Sequence, residues 1–327
     1  MKGMICYGNI IFTCLFIQSC TVVVFENAGK TDAKSMKPAA YQDAIPVGFL
    51  ANRELNEASG LACSRLDNDV LWAINDSGSG PLIYALNTNG ANLGSVRVVG
   101  AQNQDWEDLA SFRLNDTAYL LIADVGDNAE NRADYLIYLI REPVIAAGSL
   151  SPNQTAVLEE RIRFIYEDGS HDCESVAVDL SSGQILLLSK RDMPPALYAL
   201  PLVMQTGDTV QVARRLTSIS VIPQPTFKDI MEDPKFGPYR SQPTAMDMSP
   251  DGLKAVVLTY KNAYLFQRTA GENWGDAFKK PPQMIQLPKL RQAEALCFAA
   301  DTRTLFITSE KHPAPLLRLD LTKRPAS

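Results

Sequence analysis

The chain has 327 residues, 46% of them hydrophobic and 21% charged, which suffices for one large core and is the balance of an ordinary globular protein. A formal net charge of -6 leaves no basic footprint, so nucleic acid is not an expected partner. Two histidines are too few for a histidine-rich zinc site, and the chain carries no Gly-x-Ser-x-Gly elbow, no phosphate-cradling glycine loop and no complete EF-hand loop.

The amino-terminus reads as a targeting segment. Lys2 precedes an apolar run, Ile10-Ile11-Phe12-Thr13-Cys14-Leu15-Phe16-Ile17, that is short for a membrane-spanning helix. The run ends in Ile17-Gln18-Ser19-Cys20, which resembles a bacterial lipobox; Ser19 fits that pattern and Gln18 fits it poorly. Residues 1–20 are expected to be a lipoprotein signal peptide with Cys20 as the lipidation site, and residues 21–40 a flexible tether. Residues 41–323 would then form the folded domain. The alternative is an uncleaved anchor or an ordinary signal peptide. Cys20 is not followed by Asp, which in the lipoproteins this segment resembles goes with the outer membrane. The expected location is therefore the cell envelope, with a lipid anchor in the membrane.

A repeat organises the rest. Its copies begin Glu57-Ala58-Ser59-Gly60-Leu61-Ala62, Glu107-Asp108-Leu109-Ala110, Glu174-Ser175-Val176-Ala177, Thr244-Ala245-Met246-Asp247 and Glu294-Ala295-Leu296-Cys297, at intervals of roughly 50–70 residues. Each start is followed by a polar turn such as Asp67-Asn68-Asp69 or Asn115-Asp116-Thr117. An apolar run comes next: Val70–Ile74, Ala118–Ala123, Gln184–Leu188, Leu253–Leu258 and Thr304–Thr308. A third run follows a polar loop: Leu82–Leu86, Tyr135–Ile140, Leu197–Leu200, Tyr264–Phe266 and Leu316–Leu319. Short runs between turn residues predict antiparallel strands, and such units repeated radially predict an all-β protein, a single five-bladed β-propeller. The last copy stops near Leu321, after three runs. The segment Tyr41–Leu50 is therefore predicted to supply its outer strand and close the ring, hiding a sheet edge. Six blades are the alternative, drawing on segments 143–157 and 220–242, although Pro223, Pro225, Pro234 and Pro238 favour loop there. Cys63 and Cys297 fall on innermost strands that neighbour each other in a closed ring. Their favoured reading, like that of Cys173, is as small buried hydrophobes, with a disulfide as the alternative in an oxidising compartment.

The first strand of each unit leaves its acidic residue and the second returns, so strand starts and second-strand ends converge on one mouth of the central channel. The converging set includes Glu57, Asp76, Glu107, Asp124, Asp127, Glu174, Glu294 and Glu310. Like charges this close require neutralisation. A hard cation is one neutraliser, and calcium, which takes about 6–8 oxygen ligands, is the expected cofactor. Glu57, Glu107, Asp124, Asp127, Glu174 and Glu294 are its candidate ligands. The other neutraliser is the basic set Lys190, Arg191, Lys261 and Lys311, which with Asp76 makes up the candidate ligand-binding residues. A structural role competes with both: each Glu could accept backbone N–H bonds from a neighbouring blade. Asp105, Asn128, His171 and Asp172 join the candidates because they lie in less repetitive loops.

Several segments resemble known families. Glu57-Ala58-Ser59-Gly60-Leu61-Ala62, Leu71-Trp72-Ala73-Ile74-Asn75-Asp76, Gln292-Ala293-Glu294-Ala295-Leu296 and Ile307-Thr308-Ser309-Glu310 resemble bacterial envelope β-propellers of the SdiA-regulated and esterase-like phytase type. Asp105-Trp106-Glu107-Asp108-Leu109, with Tyr119-Leu120-Leu121 and Gly126-Asp127-Asn128, is similar to a blade of the calcium-dependent propeller phytases. The resemblance implies calcium and basic side chains holding phosphate, with Glu107, Asp127, Lys190, Arg191 and Lys261 in those parts; Thr244 breaks the acidic pattern in blade four. Two functions follow as expectations. The first is an envelope lipoprotein whose propeller binds a small-molecule or protein ligand at the acidic mouth. The second is a calcium-dependent hydrolase of phosphoesters or related esters. In that case Glu107 or Glu174 would act as general base on a water polarised by the cation, and Lys190, Arg191 and Lys261 would stabilise the developing charge.

Overall fold

The computed structural model describes residues 41–146, 148–202 and 209–322; the expected signal peptide, tether and Cys20 lie outside them. Apart from two short helices and one 3-10 turn, the described elements are strands. Strand β1 (Ile45–Phe49) comes first. Blade one follows as β2 (Ala58–Cys63), β3 (Val70–Asn75), β4 (Leu82–Asn87) and β5 (Asn92–Val99). Blade two is β6 (Trp106–Leu114), β7 (Thr117–Asp124), β8 (Tyr135–Arg141) and β9 (Thr155–Tyr166). Blade three is β10 (Cys173–Asp179), β11 (Gln184–Ser189), β12 (Ala196–Pro201) and β13 (Val210–Ser218). Blade four is β14 (Pro243–Met248), β15 (Lys254–Thr259), β16 (Asn262–Gln267) and β17 (Gln283–Gln286). Blade five adds β18 (Ala293–Phe298), β19 (Thr304–Ser309) and β20 (Pro315–Asp320).

The missing outer strand of blade five is β1, which pairs antiparallel with β20 from Ile45↔Arg318 to Phe49↔Pro315. The innermost strands β2, β6, β10, β14 and β18 pack each against the next, and β18 returns to β2. The ring is therefore a five-bladed propeller closed by the amino-terminal strand. The six-blade alternative falls with the segments it needed. Residues 155–166 are the outer strand of blade two, and 220–242 hold helix α1 (Phe227–Glu232) and a 3-10 turn at Gly237–Tyr239. A second helix, α2 (Trp274–Ala277), fills the connection before β17.

Local chemistry explains the strand ends. Asn115 and Asp116 both adopt positive φ, 47° and 64°, between the paired residues Leu114 and Thr117. That is the backbone of a tight two-residue hairpin, which Asn and Asp tolerate best after glycine. The second strands are buried on both faces because each blade is sandwiched between two others. Ile122 and Leu120 enter the core between blades one and two with Trp72 and Trp106. Leu121 and Ala123, from the same strand, enter the core between blades two and three. This alternation is why the runs read as continuously apolar.

One backbone feature recurs at the start of every innermost strand. The pairing with the second strand shifts between Ala58 and Gly60, Trp106 and Asp108, Cys173 and Ser175, Pro243 and Ala245, and Ala293 and Ala295. A bulge therefore falls on Ser59, Glu107, Glu174, Thr244 and Glu294. The repeat is thus aligned by its bulge, and blade one contributes Ser59. Glu57, the apparent acidic start of that copy, lies two residues earlier.

Candidate functional site

The five bulged residues take two roles. Ser59 and Thr244 each donate a hydroxyl to the backbone carbonyl just before the next blade's bulge: Ser59 to Trp106 at 2.8 Å and Thr244 to Ala293 at 2.7 Å. All five line the channel mouth, where Glu107, Glu174 and Glu294 contribute carboxylates. There they line a cavity of about 190 Å³ with Asp76, Asn128, Lys190, Tyr260, Gln292 and Glu310. Such a volume lies below the ~300–1,000 Å³ of pockets for drug-sized ligands and suits an ion with its waters.

Glu107 is the least compensated group in it. It is 6% exposed, and no hydrogen bond reaches its carboxylate from the described residues. Burial, then Glu174, Asp76 and Asp105, push its carboxyl well above the ordinary value. Asp76 and Asp105 are close to it: one carboxylate oxygen from each of the three lies within 4.8 Å of the others. Burial and Asp76 push the Asp105 carboxyl up to about 7.

The scaffold around this trio is specific. Asn103 donates its side-chain amide to the carbonyls of Asn75 at 3.2 Å and Asp76 at 3.0 Å, while its Oδ1 accepts the Trp106 amide at 3.0 Å. It thereby binds the Asp76 loop of blade one to the Asp105-Trp106-Glu107 entry of blade two. Beneath them, Gly126 passes so close that a Cβ there would stand 2.2 Å from Glu107 Oε1 and 2.5 Å from Asp105 Oδ2. Asp124 accepts the amides of Gln104 and Asp105, both at 3.2 Å, and pairs with the half-buried Arg132 at 2.9 Å.

The rest of the mouth is better neutralised. Lys190 pairs with Glu174 and lies 5.4 Å from the centre of the Tyr260 ring. Burial works against its ammonium, but Glu174, Glu294 and Tyr260 hold its proton more tightly than in a free lysine. Burial raises the Glu174 carboxyl to about 7 against the pull of Lys190. The Glu294 carboxyl goes well above its usual range through burial and Glu174.

Several sequence candidates stand elsewhere. Glu57 does not line the cavity; its carbonyl accepts the Asp76 amide at 2.9 Å. Asp124 is the pedestal just described. Asp127 accepts the amides of Asn131 and Arg132 and the Tyr135 hydroxyl, which hold its carboxyl below its usual range against burial. Arg191 is taken by Asp172 at 2.7 Å and by Asn128. Lys261 reaches away to Asp229 of α1 at 2.6 Å. Lys311 lies 3.8 Å from Glu310 at the edge of the mouth. His171 sits between Asp168 and Asp192, 3.0 Å from each, outside the cavity lining. Of the six carboxylates proposed as metal ligands, the cavity unites Glu107, Glu174 and Glu294. Asn103, Gly126 and the pairing of Asp76 with Asp105 escape a reading of spacing. The polar run Gln102-Asn103-Gln104-Asp105 before a buried strand is the signal that points to them.

The carboxylate that accepts backbone donors across the ring is Asp108, next to Glu107. Fully buried, it takes the amides of Leu109 at 2.8 Å, Val176 at 2.7 Å and Met246 at 3.3 Å, from three blades. Asp247 does the same for Met248 and Phe298, both at 2.7 Å.

No protein-family model matches the chain, and no curated protein matches its sequence. Among solved structures it is similar to a crystal structure of a nidogen/laminin complex, at 10% identity and a TM-score of 0.41 over 78% of this chain and 73% of that one. It is also similar to a crystal structure of RRP9 WD40 repeats, at 12% identity and a TM-score of 0.40 over 80% of this chain and 79% of that one. The propeller itself is read from the pairing of its own strands.

Proposed function

We propose that this propeller is a binding module of the bacterial cell envelope whose ligand face is the acidic mouth, and that a calcium ion held by Asp76, Asp105 and Glu107 belongs to that face. The observation that carries this reading is Glu107, a buried carboxylate with no hydrogen-bond donor among the described residues, with carboxylate oxygens of Asp76 and Asp105 within 4.8 Å of its own, in the wall of a cavity of about 190 Å³. Burying such a group uncompensated is costly, and a cation removes the cost. The donor set is all carboxylate oxygen, the preference of a hard ion. Three carboxylates supply up to six oxygens, and waters or the ligand complete the shell. The envelope setting rests on the lipobox-like segment ending at Cys20 and on the resemblance to SdiA-regulated and esterase-like phytase propellers.

Calorimetric titration with calcium, paired with thermal unfolding in calcium and in chelator, tests the reading. Calcium at ~100 times its dissociation constant adds about 2.7 kcal/mol of stability. Glu107→Gln abolishes the heat of binding and raises the stability of the calcium-free protein, because a buried charge is gone. No heat and no shift at millimolar calcium would sink the reading. One observation favours the hydrolase as a second reading: the Glu174 carboxyl at about 7 suits a general base near neutral pH. Chelator-sensitive hydrolysis of a simple phosphomonoester would support it. Lys261, bound to Asp229, has no part in that reading.

A further inference from the structure

Cys63 ends β2 and Cys297 lies in β18, the innermost strands of blades one and five, which pack side by side. Their sulfur atoms stand 3.0 Å apart, closer than the ~3.5–4.0 Å of an ordinary non-bonded heavy-atom contact. Both are buried in the core between these blades, among Leu61, Leu71, Ala295 and Phe306. The third described cysteine, Cys173, lies in the core between blades two and three with its sulfur 3.6 Å from the Ser175 carbonyl. Among the described cysteines the pairing therefore has one solution.

We propose that Cys63 and Cys297 form a disulfide that ties the first blade of the ring to the last. Without it, closure depends on packing and on the hydrogen bonds of β1 to β20. With it, residues 234 positions apart in sequence are joined covalently at the inner wall of the seam. The oxidant is a second disulfide, of the glutathione or dithiol-oxidoreductase class. One cysteine thiolate attacks that disulfide and releases one thiol. The other thiolate then attacks the mixed disulfide and releases the second. Two S–H bonds are lost and one S–S bond forms. Two electrons and two protons pass to the oxidant, which leaves as two thiols. Burial, then the neighbouring Cys63, push the Cys297 thiol well up in the closed ring. Exchange therefore runs fastest before blade five docks.

The test is a peptide map of the full chain refolded with glutathione disulfide, alkylated and digested without reduction. The expected product is one cross-linked pair of peptides carrying Cys63 and Cys297, two hydrogens lighter than the separate peptides, with Cys173 recovered alkylated. Reductant is expected to lower the melting temperature by on the order of 10 °C. The double variant Cys63→Ala/Cys297→Ala melts at the lower temperature and ignores reductant. Recovery of both cysteines fully alkylated from folded chain, or a cross-link between any other pair, overturns the proposal. The map is made on the wild-type chain, so it decides the matter even if the double variant does not fold.

Discussion

Adjacent carboxylates in β6 have opposite fates. Asp108 is satisfied by three backbone amides, whereas Glu107, one residue earlier, has none. The bulge causes the difference, because it turns Glu107 into the channel mouth while Asp108 faces the neighbouring strands. Gly126 is the other decisive residue. The nearest atoms to a Cβ there are Glu107 Oε1 and Asp105 Oδ2 and Cγ, all side-chain atoms, so the two carboxylates would have to shift. Gly126→Ala is therefore expected to change stability by less than about 1 kcal/mol while weakening calcium binding more than about tenfold, which is about 1.4 kcal/mol. Parallel urea unfolding and calorimetry check both halves.

Whole elements are held at the far mouth by clamps between blades. Arg268, at the end of β16, places two guanidinium nitrogens 2.8 Å from the two carboxylate oxygens of Asp179, at the end of β10. Both side chains are buried, and the guanidinium lies 4.8 Å from the Trp274 ring of α2. Burial works against the Asp179 carboxylate, but Arg268, Ser181 and Ser182 hold its carboxyl below the usual range. Its contribution is therefore present above the unfolded-state value and lost as pH falls. Arg268→Met strands the anion and is expected to cost about 3–5 kcal/mol in urea unfolding at pH 7, and less as the pH is lowered. Elements were the most legible scale in the sequence. Turn residues and apolar runs located the strands, and the incomplete last copy pointed to Tyr41–Leu50. Two strand features were hidden. Glu57-Ala58-Ser59 imitates the acidic start while the bulge uses Ser59. The charged pattern Glu159-Glu160-Arg161 in β9 disguises an outer strand with one solvent face.

At the scale of the whole molecule, buried carboxylates of the mouth and of the innermost strands tie stability to pH. Asp105 and Glu174 are raised to about 7 and Asp247 to about 6, with burial the leading cause in each. A carboxyl raised on folding stabilises below its unfolded value, about 4, and loses that contribution as pH rises through its folded value. In chelator, the melting temperature is expected to fall between about pH 5 and 8. Calcium, which displaces the proton of Asp105, flattens part of the decline. A calcium-free melting curve that rises over this window would contradict the assignment. The candidate site was only partly legible because carboxylates that bind backbone and carboxylates that face a cavity look alike in a sequence. Asp124 and Asp127 resembled a ligand loop, yet they pin the turns that position Asp105 and Gly126.

Strand β9 spans more than its own blade. Its first residues pair in parallel with β5 of blade one, Arg97↔Thr155 to Val99↔Val157, and its last with β13 of blade three, Val210↔Arg163 to Ala213↔Tyr166. Blades one to three thus form one continuous twelve-stranded sheet, while blades four and five remain separate four-stranded sheets. Opening fluctuations should therefore respect that division, and native-state hydrogen exchange should release the amides of β1 and β14–β20 before those of β2–β13. Asp76, Asp105 and Glu107 all belong to the stitched part. A propeller that loosens its last two blades to admit or release a partner would keep its cation site assembled while it did so.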